Sequence, residues 1–122
     1  MKINYSNRTE YRNKQAQLHR TDGPAVILSN GEQYYYQNGK LHREDGPARI
    51  FPNGTQLYYQ NGQRHRIDGP AVIYETGSQY YYQNGKLHRE DGPARIYPNG
   101  LQFYYLNGKS LTKEQYENQL FK

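Results

Sequence analysis

Four histidines, His19, His42, His65 and His88, each stand three residues before an aspartate (Asp22, Asp45, Asp68 and Asp91), with an arginine directly after the histidine. An imidazole and a carboxylate at short range suit metal ligation or proton transfer. The arrangement argues against both. A transition metal requires ligand atoms within about 2.0–2.2 Å of one centre, and a single His-Arg-x-Asp quartet supplies no third strong ligand. A catalytic constellation is normally singular, whereas this one recurs four times. Ser29 and Ser78 occupy different turn positions, and Ser6 and Ser110 lie outside the recurring segments, so no Ser–His–Asp device is implied. Phosphate loops, nucleophile elbows and zinc-protease motifs do not occur. Cysteine is absent, which removes disulfides and thiolate chemistry. The chain is therefore expected not to be an enzyme and to carry no metal or cofactor. In the quartets, histidine and arginine are expected to pair along an array while the aspartate bonds turn backbone.

The second chemistry is that of tyrosine, of which there are 15 in 122 residues. Only 34% of residues are hydrophobic, and the mean hydropathy is −1.24. Such polarity borders on that of disordered chains, but tyrosine buries its ring while its hydroxyl stays bonded or wet. A thin core is the expectation.

What positions these residues is a repeat. Four 23-residue units fill 18–109: LHRTDGPAVILSNGEQYYYQNGK (18–40), LHREDGPARIFPNGTQLYYQNGQ (41–63), RHRIDGPAVIYETGSQYYYQNGK (64–86) and LHREDGPARIYPNGLQFYYLNGK (87–109). A longer period of 46 is also visible. Units one and three share Val26/Val72, and units two and four share Arg49/Arg95, Pro52/Pro98 and Glu44/Glu90. Every unit ends in Asn-Gly, and a second Asn-Gly (Thr76-Gly77 in the third unit) lies mid-unit. Asn-Gly tolerates positive φ and favours tight hairpins. Short segments such as 25–28 and 33–37, rich in Ile, Val and Tyr, read as strands. The chain is thus expected to be all-β, an elongated antiparallel meander of hairpins advancing about 10 Å per unit, two strand spacings. The alternative is a β-solenoid that coils once per unit and rises about 4.8 Å.

Alternation assigns faces. Ala25/Ile27, Ala48/Ile50, Ala71/Ile73 and Ala94/Ile96 are expected on the buried face, with Val26, Arg49, Val72 and Arg95 opposite. Of the tyrosine triplets, the outer residues are expected inward, and the middle rings Tyr35, Tyr58, Tyr81 and Tyr104 outward. Residues 1–17 read as a worn half-unit, with Tyr11 aligned to Tyr34. Residues 110–122 read as a helical cap over about 113–121. Thr112 and Gln115 form its capping box and Leu111 with Tyr116 its hydrophobic staple.

The pattern Tyr36-x-Asn38-Gly39-Lys40-x-His42, followed by Gly and later Pro-Asn-Gly, with equivalents in the other units, resembles MORN repeats (membrane occupation and recognition nexus), which also run to 23 residues. The MORN signature Tyr-x-Gly-x-Trp is absent here, and the turns lie 15 and then 8 residues apart. The HR-x-DGPA link is similar to DGPA-type repeats of phages, giant viruses and bacterial mobile elements. The resemblance implies an elongated single-layer meander used for assembly or binding. Lipid binding is attributed to MORN proteins, but no residue here supports it independently.

Net charge is +5, of which residues 1–17 carry +3 and the four units 0, 0, +1 and +1. A phosphate-tracking array would carry surplus cations in every unit. The expected function is a non-enzymatic scaffold that binds a protein partner through an exposed Tyr/Arg face: Tyr35, Arg49, Tyr58, Tyr81, Arg95 and Tyr104. Phosphate contacts, if any, fall to Lys2, Arg8, Arg12 and Lys14 in the basic N-terminal cap. Two alternatives are a virus- or mobile-element-encoded inhibitor of a host nucleic-acid machine, of the anti-CRISPR kind, and direct RNA or single-strand DNA binding by tyrosine stacking at about 1–3 kcal/mol per base. A polar N-terminus, no long apolar run and no cysteine make a cytoplasmic setting the expectation.

Overall fold

The computed structural model of the chain describes residues 1–121. It is an antiparallel meander: an 11-stranded sheet that does not close on itself, flanked by three small two-stranded sheets. Lys113–Leu120 is the one helix among the described residues, and it is too short to cross a membrane. Equivalent strands do not stack in parallel as a solenoid requires. Their neighbours pair antiparallel throughout.

Each unit adds two strands to the long sheet. In the first these are Val26–Leu28 and Gln33–Tyr34. Between them Gly31 takes φ 97°, and its N–H donates to the Leu28 carbonyl at 3.0 Å while Leu28 N–H reaches Glu32 at 2.9 Å. This is a tight turn closed by a glycine bulge, which a Cβ would strain. Pro52 and Pro98 stand two residues past the strands Arg49–Ile50 and Arg95–Ile96, where a fixed φ suits the turn. The expected strand 33–37 is split. Tyr35 donates its N–H to the Ala48 carbonyl at 2.7 Å, and the next residue on that neighbour is Pro47, which has no N–H to offer. The chain therefore leaves the long sheet, and Tyr36–Gln37 pairs with Lys40–Leu41 instead. That hairpin turns on Asn38 (φ 49°) and Gly39 (φ 81°), both in the left-handed region a type I′ turn demands.

The registers show which residues share a face. Glu10, Val26, Tyr34, Arg49, Leu57, Val72, Tyr80, Arg95 and Phe103 oppose one another in a row across nine strands. Ile27, Gln33, Ile50, Gln56, Ile73, Gln79, Ile96 and Gln102 form the row on the other face. The expected division into a buried isoleucine face and an exposed valine–arginine face is corrected. Ala25, Ala48, Ala71 and Ala94 are fully buried, but so is Val72, and Val26 is 6% exposed. Ile27, Ile50, Ile73 and Ile96 are half-buried, as are Arg49 and Arg95. A single-layer sheet has no second layer to cover either face, so burial falls to small residues and to side chains roofed by their neighbours.

The ends cap the meander differently. Glu10, not Tyr11, occupies the position of Tyr34, because it opposes Val26 as Tyr34 opposes Arg49. Tyr11 is therefore the counterpart of Tyr35. At the other end Thr112 accepts from the Gln115 N–H and Gln115 answers to the Thr112 N–H, completing the capping box. Leu111 and Tyr116 are both buried, as the staple requires.

Candidate functional site

The HR-x-DGP link builds a clip. Arg43 lies over the Tyr35 ring with its guanidinium carbon 4.0 Å from the centroid. It donates from Nε to Asp45 at 3.1 Å and from Nη1 to the Pro47 carbonyl at 3.1 Å. The same set recurs as Arg20–Tyr11–Asp22–Pro24, Arg66–Tyr58–Asp68–Pro70 and Arg89–Tyr81–Asp91–Pro93. The glycine of each link leaves room for it: a Cβ on Gly46 or Gly69 would stand 2.9 Å from the arginine carbon. For Tyr104 the following unit is missing, and Tyr116 of the helix replaces the arginine. The two rings are 4.8 Å apart. The Tyr116 hydroxyl donates to the Arg89 carbonyl at 2.6 Å and accepts from the Gly92 N–H at 3.0 Å.

Two expectations change. The middle rings Tyr35, Tyr58, Tyr81 and Tyr104 are not a free stripe, since each is half-buried with one side covered. The aspartates serve the arginine two residues earlier rather than a turn N–H. The Arg20 guanidinium, bonded to Asp22, holds that carboxyl below its ordinary value.

The histidines hold the hairpins in line. Nδ1 of His19, His42, His65 and His88 accepts the N–H of Asn38, Asn61, Asn84 and Asn107, each 19 residues on, at 2.9–3.0 Å. Nδ1 can accept only when it carries no proton, so in the neutral ring the hydrogen sits on Nε2. That nitrogen meets Glu44 at 2.6 Å in unit two and Glu90 at 3.3 Å in unit four. Among the described residues no three His, Asp or Glu side chains converge as metal ligands would.

Arg49 and Arg95, grouped with those tyrosines in the sequence reading, stand on the opposite face. There Arg49 lies between Tyr34 and Phe51 at 4.8 and 5.1 Å, and Arg95 between Tyr80 and Tyr97 at 4.7 and 5.3 Å. Arg64 covers Tyr82 at 5.3 Å. Edge-on aromatic contacts join Tyr34 to Phe51 and run Tyr74–Tyr80–Tyr97–Phe103. Hydrogen bonds to Tyr80 and Tyr105 hold Arg95 above its ordinary value. Burial works against the charge of Arg49 and of Arg64, but tyrosine hydroxyls outweigh it: Tyr34 and Tyr59 for Arg49, Tyr59 and Tyr82 for Arg64. Sequence reasoning missed Arg64 and Tyr59. The available signal was that Arg64 breaks a column otherwise filled by Leu18, Leu41 and Leu87.

The two faces carry opposite accessible charge. On the clip face the arginine side chains are only 22–25% exposed while their aspartates are 82–86% exposed, and Glu44 and Glu90 project at 72% and 73%. Between successive links lie three grooves of about 460–490 Å³ edged by these carboxylates. The tyrosine face instead presents Arg49, Arg64 and Arg95, with one carboxylate beside them, Glu32, bonded to the Tyr34 hydroxyl at 2.6 Å. In unit two the faces offset each other, Glu44 on the clip face against Arg49 on the tyrosine face, whereas in unit one Arg20 and Asp22 cancel within the clip itself. Of the cap cations, Arg8 and Arg12 both bind the buried Glu10, at 2.7 and 2.9 Å, and Lys2 lies 6.0 Å over Tyr11. Lys14 is exposed in the turn that follows. Compared with family models, curated proteins and solved structures, the chain matches none of them.

Proposed function

We propose that this chain is a non-enzymatic scaffold that binds a protein partner through the tyrosine–arginine face of its single-layer sheet. The observation that carries the reading is the row of Tyr34, Arg49, Tyr80, Arg95 and Phe103, bordered by Tyr59, Tyr82 and Tyr105, with the buried Leu57 and Val72 as its floor. Tyr and Arg are the residue types enriched at interfaces and hot spots. Arg49 and Arg95 keep the role the sequence suggested, while Tyr34, Tyr59, Tyr80 and Tyr82 take the place of the clipped middle rings. Base stacking is the weaker reading, since guanidinium groups already cover one side of Tyr34, Tyr80 and Tyr82. An inhibitor of a nucleic-acid machine would be the special case in which the partner belongs to that machine. The cytoplasm is the setting this reading assumes.

The test is affinity capture with the tagged chain, with and without nuclease. A partner that survives nuclease, and is lost when Tyr59→Ala is combined with Tyr82→Ala but kept with Tyr58→Ala and Tyr81→Ala, supports the proposal. Loss with the second pair alone, in folded protein, moves the interface to the clip face.

A further inference from the structure

Six of the nine arginines have a carboxylate within 3.2 Å: Arg8, Arg12, Arg20, Arg43, Arg66 and Arg89. The other three, Arg49, Arg64 and Arg95, have none among the described residues, and all three stand on the tyrosine face. Their partners are tyrosine hydroxyls at long range: Arg49 to Tyr34 at 3.4 Å, Arg64 to Tyr59 at 3.4 Å and to Tyr82 at 3.3 Å, Arg95 to Tyr80 at 3.4 Å; the Tyr34 hydroxyl in turn donates to the Glu32 carboxylate at 2.6 Å, which Arg49 meets only through that hydroxyl. The Arg95 Nε is buried and has no hydrogen-bond partner. Arg49 and Arg64 converge, since both guanidinium groups reach the Tyr59 hydroxyl.

A guanidinium presents five donors in a planar fork that matches a carboxylate. Here the forks are held by stacking on rings, so little side-chain entropy remains to be lost on binding. A neutral hydroxyl at 3.3–3.4 Å is a poor substitute for an anion at about 2.8 Å.

We infer that the partner meets this face with an acidic segment, and that Arg49, Tyr59 and Arg64 form its anchor while Arg95 takes a second carboxylate further along the sheet. This rests on the reading that the tyrosine face is the interface and adds the chemistry of what covers it. A protein carboxylate is favoured over a nucleic-acid phosphate because one converged pair and a single further cation make a short track, and because guanidinium groups already cover one side of the rings that would stack bases. The carboxylate-edged grooves of the opposite face repel the same segment, which sets the side of binding.

The probe is a fluorescein-labelled hexaglutamate peptide titrated with the whole chain at low salt and followed by anisotropy. Hexalysine and a ten-residue oligothymidylate are titrated in parallel. Saturable hexaglutamate binding is expected. Arg49→Gln with Arg64→Gln should weaken it at least ten-fold, and Lys14→Gln with Lys113→Gln less than two-fold. Because the arginine variant could lose stability, the same titration is read on the unaltered protein by NMR of the arginine Nε–H groups. Shifts confined to Arg49, Arg64 and Arg95 support the inference. Equal loss with the lysine variant, shifts centred on Arg20, Arg43 and Arg66, absence of hexaglutamate binding, or tighter binding of oligothymidylate overturns it. A captured partner that needs Tyr59 and Tyr82 but tolerates Arg49→Gln and Arg64→Gln would retain the interface and discard the acidic anchor.

Discussion

Arginine has two kinds of place in this molecule. In the links it is a strut: Arg66 spans the Tyr58 ring, the Asp68 carboxylate and the Pro70 carbonyl, with Gly69 behind it. On the other face it stacks on aromatic rings and donates to tyrosine hydroxyls. The strut makes a definite prediction. Arg66→Ala removes a cation–π contact worth about 0.5–1 kcal/mol and hydrogen bonds worth about 1 kcal/mol each, so urea denaturation should show a loss of roughly 1–3 kcal/mol. Gly69→Ala drives a methyl to 2.9 Å from the arginine carbon and should cost about the same by expelling the guanidinium. Because both changes remove one clip, the double variant should cost little more than either alone. Simple additivity would show that the glycine serves something other than the arginine.

At the level of elements, the small hairpins would each be marginal alone, and cross-unit bonds tie them together. Gly62 N–H donates to the Leu41 carbonyl at 2.8 Å and Asn61 N–H to His42 Nδ1 at 3.0 Å. Both link a turn to the hairpin before it. His65→Phe keeps ring volume and deletes the acceptor for Asn84. It should lower stability by about 1 kcal/mol, the net worth of one hydrogen bond, since the exposed Asn84 amide can turn to water, with exchange of that amide accelerating most. Unchanged exchange there would remove the histidine from this role. The helix closes the last strand by the same logic. Thr112→Ala should cost about 1 kcal/mol as a lost cap, and Tyr116→Ala more, since it uncovers Tyr104 and frees the Gly92 N–H. Thermal melts of the two variants order these effects.

The molecule as a whole is a nearest-neighbour array, and its true unit is 46 residues. Tyr34 opposes Arg49 and Tyr80 opposes Arg95, whereas Leu57 opposes Val72. The odd-to-even junctions are thus tyrosine–arginine and the even-to-odd junction is aliphatic. The turns follow the same rhythm, with Gly31 against Pro52 and Gly77 against Pro98. Deleting 41–86 sets Tyr34 opposite Arg95 and should leave a folded two-unit array. Deleting only 41–63 sets Tyr34 opposite Val72, so this three-unit chain should melt no higher than the shorter one. A clearly higher melting temperature would show that the junctions are interchangeable. At the N-terminal end, the Arg8 hydrogen bond, with Arg12, holds buried Glu10 below its ordinary 4.5 despite the opposing effect of burial. This contribution is complete above pH 4.5 and is lost as pH falls through the lower folded value. The acid limb of the stability curve should therefore flatten in Glu10→Gln.

Turn positions, the four units, the cap helix with its box and the antiparallel meander were legible in the sequence, because Asn-Gly chemistry, alternation and capping act over a few residues; the split of 33–37 into two strands was not. The roles of individual faces were not. Alternation says that Ala25 and Ile27 share a side and Val26 does not, but it cannot say which side is covered, and in a single-layer sheet neither is covered by a second layer. Tyr58 reads as exposed until Arg66, eight residues on, is folded over it. Arg64 looks like a lapse in a leucine column until it meets Tyr59 and Tyr82. Net charge summed along a unit hides its separation between faces, since charge is a property of residues while a face is made by strands from different units. Local chemistry determined the elements and their order. The tertiary structure decided which side chains cover one another, because burial and pairing depend on contacts 8 to 27 residues apart that no local pattern encodes.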